Sequence, residues 1–558
     1  MKKALLLIIP AFLVFSCLKE QDVSGETVQK KKTTVPERTV QTDILKEYGS
    51  AGKFVESEIM LPEGIVPTAI SVNKGRIYVN DLNKGKIRIF DLKGKQVNEI
   101  KVHGLFPTAL DVHENIIYHG DITSRHLLRI KTDGKRGLKP MPFYGRWQRD
   151  LAVSDDYIFY LDNRVNEIIK TDKYDGSTIE RFKAPGRNPT SLTFDGTWLY
   201  CGEAEEKQIH IVDPVTGWVI RSIPSPAGHL SGLSFYNGRL YAADLHSNKI
   251  HVMTPYPEKP LIEDRERDFR IIYRISSQME SAGTAENLRT YIAIPETRPG
   301  QKLLSEVKFS PQPDGYVTDE WGQRFAEFKK ETLSSGEKHD ITMTVDARVF
   351  NAAFHFDPMA LNNISARGLE DFLSDGRKYA IREGFIPKKA DEIIQDETRY
   401  YFKARKLYEY LTDSITYVRE GGWGRADTVI KRGTGSCSEY TFALVALFRS
   451  VGIPSRYVGA LVNRSEHGGL DFVFHRWAEI WMGEKYGWVP VDANAGATEE
   501  PEKRGNAFGS IPNRYLVTTV SGGESEYLDW SYNYGIKYDS KDGGIVRTFT
   551  LARWVPLD

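Results

Sequence analysis

The chain has 558 residues, of which 40% are hydrophobic, 27% charged and 11% aromatic. That composition excludes a largely disordered or fibrous protein, and at about 150 residues per domain it predicts three or four domains. Lys+Arg and Asp+Glu stand at 75 each, so no basic excess exists to neutralise phosphates and nucleic-acid binding is not expected.

Three cysteines cannot build a disulfide framework, so each is read on its own. The first closes an export signal. Met1-Lys2-Lys3 precedes an almost wholly apolar run from Ala4 to Phe15, then Ser16-Cys17. A positive start, a short apolar core and a small residue before the cut define a secretory signal, and the run is too short for a spanning helix, which needs about 20 residues. Val14-Phe15-Ser16-Cys17 resembles the bacterial lipobox. The resemblance implies a lipoprotein signal over 1–17, lipid on Cys17, and a protein held on the membrane of the bacterial cell envelope, periplasmic or surface-exposed. The alternative is ordinary signal cleavage with an incidental Cys. Residues 18–48 are polar and include Lys30-Lys31-Lys32; they cannot bury enough surface to offset ordering entropy, which predicts a flexible tether.

Residues 49–257 carry a repeat. Aliphatic anchors fall at Ile70, Leu110, Leu151, Leu192 and Leu233, spaced by 40 or 41 residues. Eight residues after each comes an aromatic (Tyr78, Tyr118, Phe159, Tyr200, Tyr241), and three further on an acid (Asp81, Asp121, Asp162, Glu203, Asp244). Each unit holds short alternating runs split by Gly, Asn and Asp, the pattern of strands joined by tight turns. Four strands per unit at this period predict β-propeller blades. The last unit stops at Met253 without a fourth strand, and Val55 to Met60 is an unassigned strand ahead of the first unit. Letting it complete the final blade predicts a five-bladed ring with no raw edge. The repeat resembles propeller families of the NHL and YVTN kind, whose members bind sugars, act as lyases or serve as scaffolds, and it implies a binding or positioning module of unknown ligand. The repeated acids are expected to serve the turn that every blade shares. Cys201 follows a repeated aromatic in mid-strand and is expected to be a buried structural thiol.

From 258 to 365, alternation at Phe269, Ile271, Tyr273 and Ile275, and at Ile341, Met343 and Val345, predicts a small antiparallel β-sandwich. Residues 366–558 are expected to form an α+β domain. Ile394, Tyr401, Ala404, Tyr408 and Leu411 recur at helical spacing. The end of the chain is strand-like (Val546, Thr548, Phe549, Thr550) and is expected to cover this domain.

The chemistry lies in that last domain. Gly433-Thr434-Gly435-Ser436-Cys437-Ser438-Glu439 leads into an apolar helix, and Ser436 and Glu439 have capping-box spacing. Cys437 then takes the first helical position, where free backbone N–H groups and the helix dipole favour thiolate over thiol and can face a developing oxyanion. A nucleophile needs a base and the base an orienting group. His475 opens the strand His475-Arg476-Trp477-Ala478-Glu479-Ile480-Trp481, and Trp488-Val489-Pro490-Val491-Asp492 returns from a glycine-bounded turn. A hairpin centred between Gly483 and Glu484 puts His475 opposite Asp492. His467 is expected to be a loop residue.

These residues resemble the transglutaminase-like superfamily of cysteine enzymes. The matching pieces are Gly435-Ser436-Cys437, Gly452-Ile453-Pro454-Ser455-Arg456, His475-Arg476-Trp477-Ala478-Glu479, and Trp488 through Asp492. The resemblance covers about 385–500. It implies a papain-like fold with Cys437 as nucleophile, His475 as general base and acid, and Asp492 as orienter. It also implies an upstream side chain at the oxyanion, for which Tyr417 and Trp423 are the candidates. The expected activity is acyl transfer through a Cys thioester without cofactor or metal, hydrolysing an amide or peptide bond of a protein or peptide substrate. Protein crosslinking by transfer to an amine is the alternative within the class. A non-catalytic surface binding protein is the alternative outside it.

Overall fold

The computed structural model describes residues 49–557 apart from 83–84, 103–105, 125, 136, 143–146 and 420–421. The signal, Cys17 and the tether at 18–48 lie outside the described residues. The protein is mostly β, built from many small antiparallel sheets with one helical region.

Five four-stranded sheets fill the repeat. Four come from consecutive strands within 67–101, 107–142, 148–183 and 189–224. The fifth joins Leu230–Tyr236, Arg239–Asp244 and Lys249–Met253 to Val55–Met60, which pairs antiparallel with Lys249–Met253. Side chains on the first strand of one sheet fasten the next. Ser71 Oγ accepts the Val112 N–H at 3.0 Å, Asp111 Oδ2 the Val153 N–H at 2.8 Å, Asp150 Oδ2 the Leu192 N–H at 2.9 Å and Thr193 Oγ1 the Phe235 N–H at 3.1 Å. Ser234 Oγ then accepts the Val72 N–H at 2.8 Å, tying the fifth sheet to the first.

The repeated acids do backbone work. Asp121 takes the Thr123 N–H on one oxygen and the Phe106 N–H on the other, both at 2.8 Å. Asp162, Glu203 and Asp244 likewise bridge their own turn and a loop 15 residues upstream. Each carboxylate therefore satisfies N–H groups that the strands leave over. Cys201 is fully buried in Leu199–Glu203, where loss of solvent pushes its thiol far above the usual range.

The middle segment forms two sheets, and here the predicted boundary fails. Leu261–Met279 pairs with Lys338–Phe354 on one side and with Val546–Pro556 on the other. The second sheet runs Gly315–Thr318, Arg324–Leu333, Thr284–Ala293, Tyr534–Lys541. Phe269, Ile271, Tyr273 and Trp554 from the first sheet meet Ile292 and Phe328 from the second in one core. The strands near the end of the chain are thus members of these sheets rather than a cover on the catalytic domain. A central strand such as Leu261–Met279 must pair on both edges, and 258–365 alone does not supply the second partner. Gly469–Asp471 also pairs with Val546–Pro556, just ahead of His475.

The remaining four-stranded sheet has the order Trp488–Val491, His475–Trp481, Ser455–Val462, Tyr515–Ser521, and the helix Cys437–Ser450 packs on the His475 strand. This region shares a core with the repeat: Trp198 stacks on Phe402 with ring centroids 6.3 Å apart. Buried Arg405 spans the junction, bonding the Val219 carbonyl at 2.9 Å and pairing with buried Glu409 at 2.6 Å. Glu409→Ala strands that guanidinium in the interior and is expected to cost about 3–5 kcal/mol. Urea unfolding would record it as a lower midpoint at nearly constant slope; a loss below about 1 kcal/mol would show that the carboxylate is dispensable. No helix among the described residues is long and apolar enough to cross a membrane.

Candidate active site

Cys437 is the first residue of its helix, with Ser436 as N-cap. Glu439, fully buried, accepts the Ser436 N–H at 2.9 Å and the Gly424 N–H at 2.8 Å. One carboxylate thus fixes both the helix start and the loop that carries Trp423. Upstream, Thr416–Tyr417 pairs in parallel with Thr434–Gly435, which sets Tyr417 beside the same turn.

The helix start faces the beginning of the His475 strand. His475 Nε2 meets Asp492 Oδ2 at 2.6 Å, while Asp492 Oδ1 caps the next helix by accepting the Ala495 N–H at 2.9 Å. Both carboxylate oxygens are engaged, so the group cannot swing away from the imidazole. The His475 ring lies nearly parallel to Tyr515, centroids 5.6 Å apart.

The hairpin that brings His475 and Asp492 together is not centred as the sequence suggests. Its pairs run from Trp481 with Trp488 to Ala478 with Val491, so the centre lies between Glu484 and Lys485. Gly483 and Gly487 both hold positive φ, and the Gly487 N–H bonds the Gly483 carbonyl at 2.8 Å, giving a wider turn. The register moves by two residues, and because strand side chains alternate with period two, Asp492 keeps its face. It sits diagonally across from His475 and reaches back to it.

Electrostatics couple the pair. Burial acts to raise the Cys437 thiol, but the His475 hydrogen bond and charge, with the Arg476 charge and backbone N–H, outweigh it and leave the thiol below its ordinary value. Burial acts to lower His475, and the Asp492 carboxylate overcomes it, holding the imidazole well above its usual value. The arrangement favours a thiolate beside an imidazolium.

A cavity of about 300 Å³ opens over Cys437, lined by Tyr417, Arg419, Trp423, Val473 and Tyr532 among others. The structure therefore brings Tyr417 and Trp423 to the site together with Cys437, and His475 and Asp492 to each other. His467 is exposed in a loop. Two neighbours escape a reading of the sequence. Tyr532 comes from a loop 40 residues beyond Asp492 with no motif around it, and it lies against Gly459, where an added Cβ would fall 2.5 Å from the tyrosine's own Cβ. Arg476 had a visible signal: strand alternation puts it on the helix-facing side, opposite to His475. Among the described residues no group of three or more His, Cys, Asp or Glu could hold a metal ion.

Residues 387–493 match the family model of the Transglutaminase-like superfamily, so the chain carries a transglutaminase-like domain there. Among solved structures, a Cytophaga hutchinsonii protein named as a candidate cysteine protease is similar at 16% identity and a TM-score of 0.38, over 53% of this chain and 93% of that one. Myxococcus xanthus glutaminyl cyclase is similar at 13% identity and a TM-score of 0.33, over 36% of this chain and 94% of that one. The WD40 β-propeller domain of Doa1 is similar at 15% identity and a TM-score of 0.27, over 34% of this chain and 63% of that one. At those scores the likenesses carry no functional weight. No curated protein matches the chain.

Proposed function

We propose that the protein is a cysteine acyl-transfer enzyme that hydrolyses amide or peptide bonds through a Cys437 thioester. The observation that carries this reading is Cys437 at a helix N-terminus, facing a His475 ring held by Asp492 at 2.6 Å. The Cys437 thiolate attacks the carbonyl carbon, and the C=O electrons collect on oxygen near the free N–H groups of the helix start. Tyr417 or Trp423 offers a side-chain donor. As the tetrahedral species collapses, the C–N bond breaks and His475 gives its proton to the leaving amine. Neutral His475 then takes a proton from water, whose oxygen displaces the sulfur and frees the acid.

A protein or peptide substrate is favoured by the rim of the cavity. Tyr417 and Trp423 line it and are 45% and 41% exposed, and the exposed Phe472 ring lies beside the lining residue Arg419, apolar surface of the sort that docks side chains. In this reading the five sheets are the blades of a five-bladed β-propeller that binds a partner or positions the substrate, and Cys17 carries the lipid that anchors the protein to the cell envelope through its tether. The serial hydrogen bonds between sheets, with Ser234 returning to Val72, support the propeller.

The test is iodoacetamide labelling of the fragment from residue 45 across pH, read residue by residue by mass spectrometry. Cys437 should alkylate well below the free-thiol range of about 8.5 and far faster than Cys201. Equal reactivity of the two thiols would end the enzyme reading. Screening amides with and without added amine then separates hydrolysis from crosslinking.

A further inference from the structure

We propose that Arg476 is a positioning residue of this site: a permanent second cation, fixed behind the cavity wall, that holds negative charge on Cys437 whether or not His475 carries a proton. The proposal rests on the reading of Cys437 as nucleophile.

Arg476 is wholly buried. Its guanidinium carbon lies 5.3 Å from the ring centre of Trp423, 4.9 Å from Phe442, 4.5 Å from Tyr457 and 4.3 Å from Tyr532. Nη2 donates to the Trp530 carbonyl at 2.8 Å, while Nε and Nη1 are buried without a hydrogen-bond partner. No carboxylate pairs with it among the described residues. Buried Arg405 is matched by Glu409, and buried Arg449, which also lacks a carboxylate partner among the described residues, spends its guanidinium nitrogens on the carbonyls of Ser374, Ser455 and Gly522; Arg476 has neither kind of satisfaction at Nε and Nη1. A desolvated cation without a counter-charge is costly, and an apolar side chain of similar volume would fill such a site at less cost. The aromatic faces recover part of that cost.

The position explains the expense. Trp423 and Tyr532, two of the four rings, also wall the Cys437 cavity, so the charge stands directly behind the surface where the thiolate forms. Guanidinium does not deprotonate in proteins. When His475 surrenders its proton to a leaving amine, Arg476 remains as the positive charge near the sulfur.

The other charged or titratable groups near Cys437 are few. His475 shares the Arg476 strand; Tyr417 faces the cavity from its short strand, and Arg419 and Tyr532 face it from loops. Glu439, on the cysteine's own helix, is paired with Arg432 at 3.0 Å.

The experiment measures the pH dependence of iodoacetamide labelling at Cys437 in Arg476→Met and Arg476→Lys, alone and combined with His475→Ala. Cys201 is the internal reference, and thermal unfolding is recorded for each protein. Arg476→Met should move the labelling midpoint upward and slow alkylation near neutral pH about tenfold, the effect of one pKa unit. Arg476→Lys should restore most of it, and Arg476→Met should slow labelling further in the His475→Ala background. The unfolding temperature of Arg476→Met should hold or rise, since a purely structural arginine would lose stability instead. If Arg476→Met does not fold, Arg476→Gln removes the charge while keeping a donor for the Trp530 carbonyl, and the same readout applies. A low wild-type midpoint left unmoved by charge removal overturns the proposal. A wild-type Cys437 no more reactive than Cys201 overturns the nucleophile reading beneath it, so the two failures are distinct.

Discussion

Cys437→Ala is expected to form no acyl-enzyme, and amide turnover should fall by about 10⁶-fold, the loss seen when a nucleophile leaves a catalytic set that acts as a unit. The fold should hardly notice. Cys437 is partly buried at the first position of its helix, and the helix start is secured by Ser436 and Glu439, which the substitution leaves alone. A stability change within about 0.5 kcal/mol is expected. Intact-mass spectrometry after mixing with an activated amide or ester would read the first outcome and a melting curve the second. Acylation that persists in the alanine protein would place the nucleophile elsewhere.

His475→Ala should lower turnover by about 10²–10⁴-fold and change the shape of the pH profile. In the intact site the thiol sits below its ordinary value and the imidazole well above its own. As pH falls through the lowered thiol pKa, the sulfur gains a proton and reactivity is lost. As pH rises through the raised imidazole pKa, the proton that the leaving amine needs disappears. The result is a bell with its plateau between those two limits. Without His475 its lowering influence on the thiol is gone while burial still raises it, so the alkylation midpoint moves to higher pH and the alkaline limb vanishes. Asp492 keeps its bond to the Ala495 N–H in this variant, so the adjoining helix start survives and the change reports chemistry. A midpoint unmoved by the substitution would mean that the two side chains are not coupled.

Much of this geometry is written in local sequence. The helix start at Cys437 follows from Ser436 and Glu439 three residues apart, because a capping box involves only near neighbours. The repeat in 49–257 is legible for the same reason: apart from Val55–Met60, the strands of each sheet pair with their neighbours in sequence, and Ile70 to Leu233 mark one position in five copies. What failed depended on turn chemistry or on distance along the chain. The turn around Gly483 and Gly487 could be drawn narrow or wide, and the side chains of its strands read the same either way, since the two drawings differ by an even number of residues. The partner of Leu261–Met279 could not be found by reading forward from it, because Val546–Pro556 follows some 270 residues later and pairing carries no local mark. Arg476 stood in plain view inside a motif, yet its importance appears only when four rings from separate segments are seen around it.

That late strand bears on when, during synthesis, the site can assemble. Val546–Pro556 seats Gly469–Asp471, and Asp471 in turn holds the N–H groups of Val462 and Phe474 at the threshold of His475. A ribosome-bound chain that has already emitted Cys437, His475 and Asp492 therefore still lacks the seat that aligns the imidazole. Contacts so distant in sequence also form slowly. Alignment of the imidazole is therefore deferred until synthesis has passed residue 556, a delay built from chain topology alone.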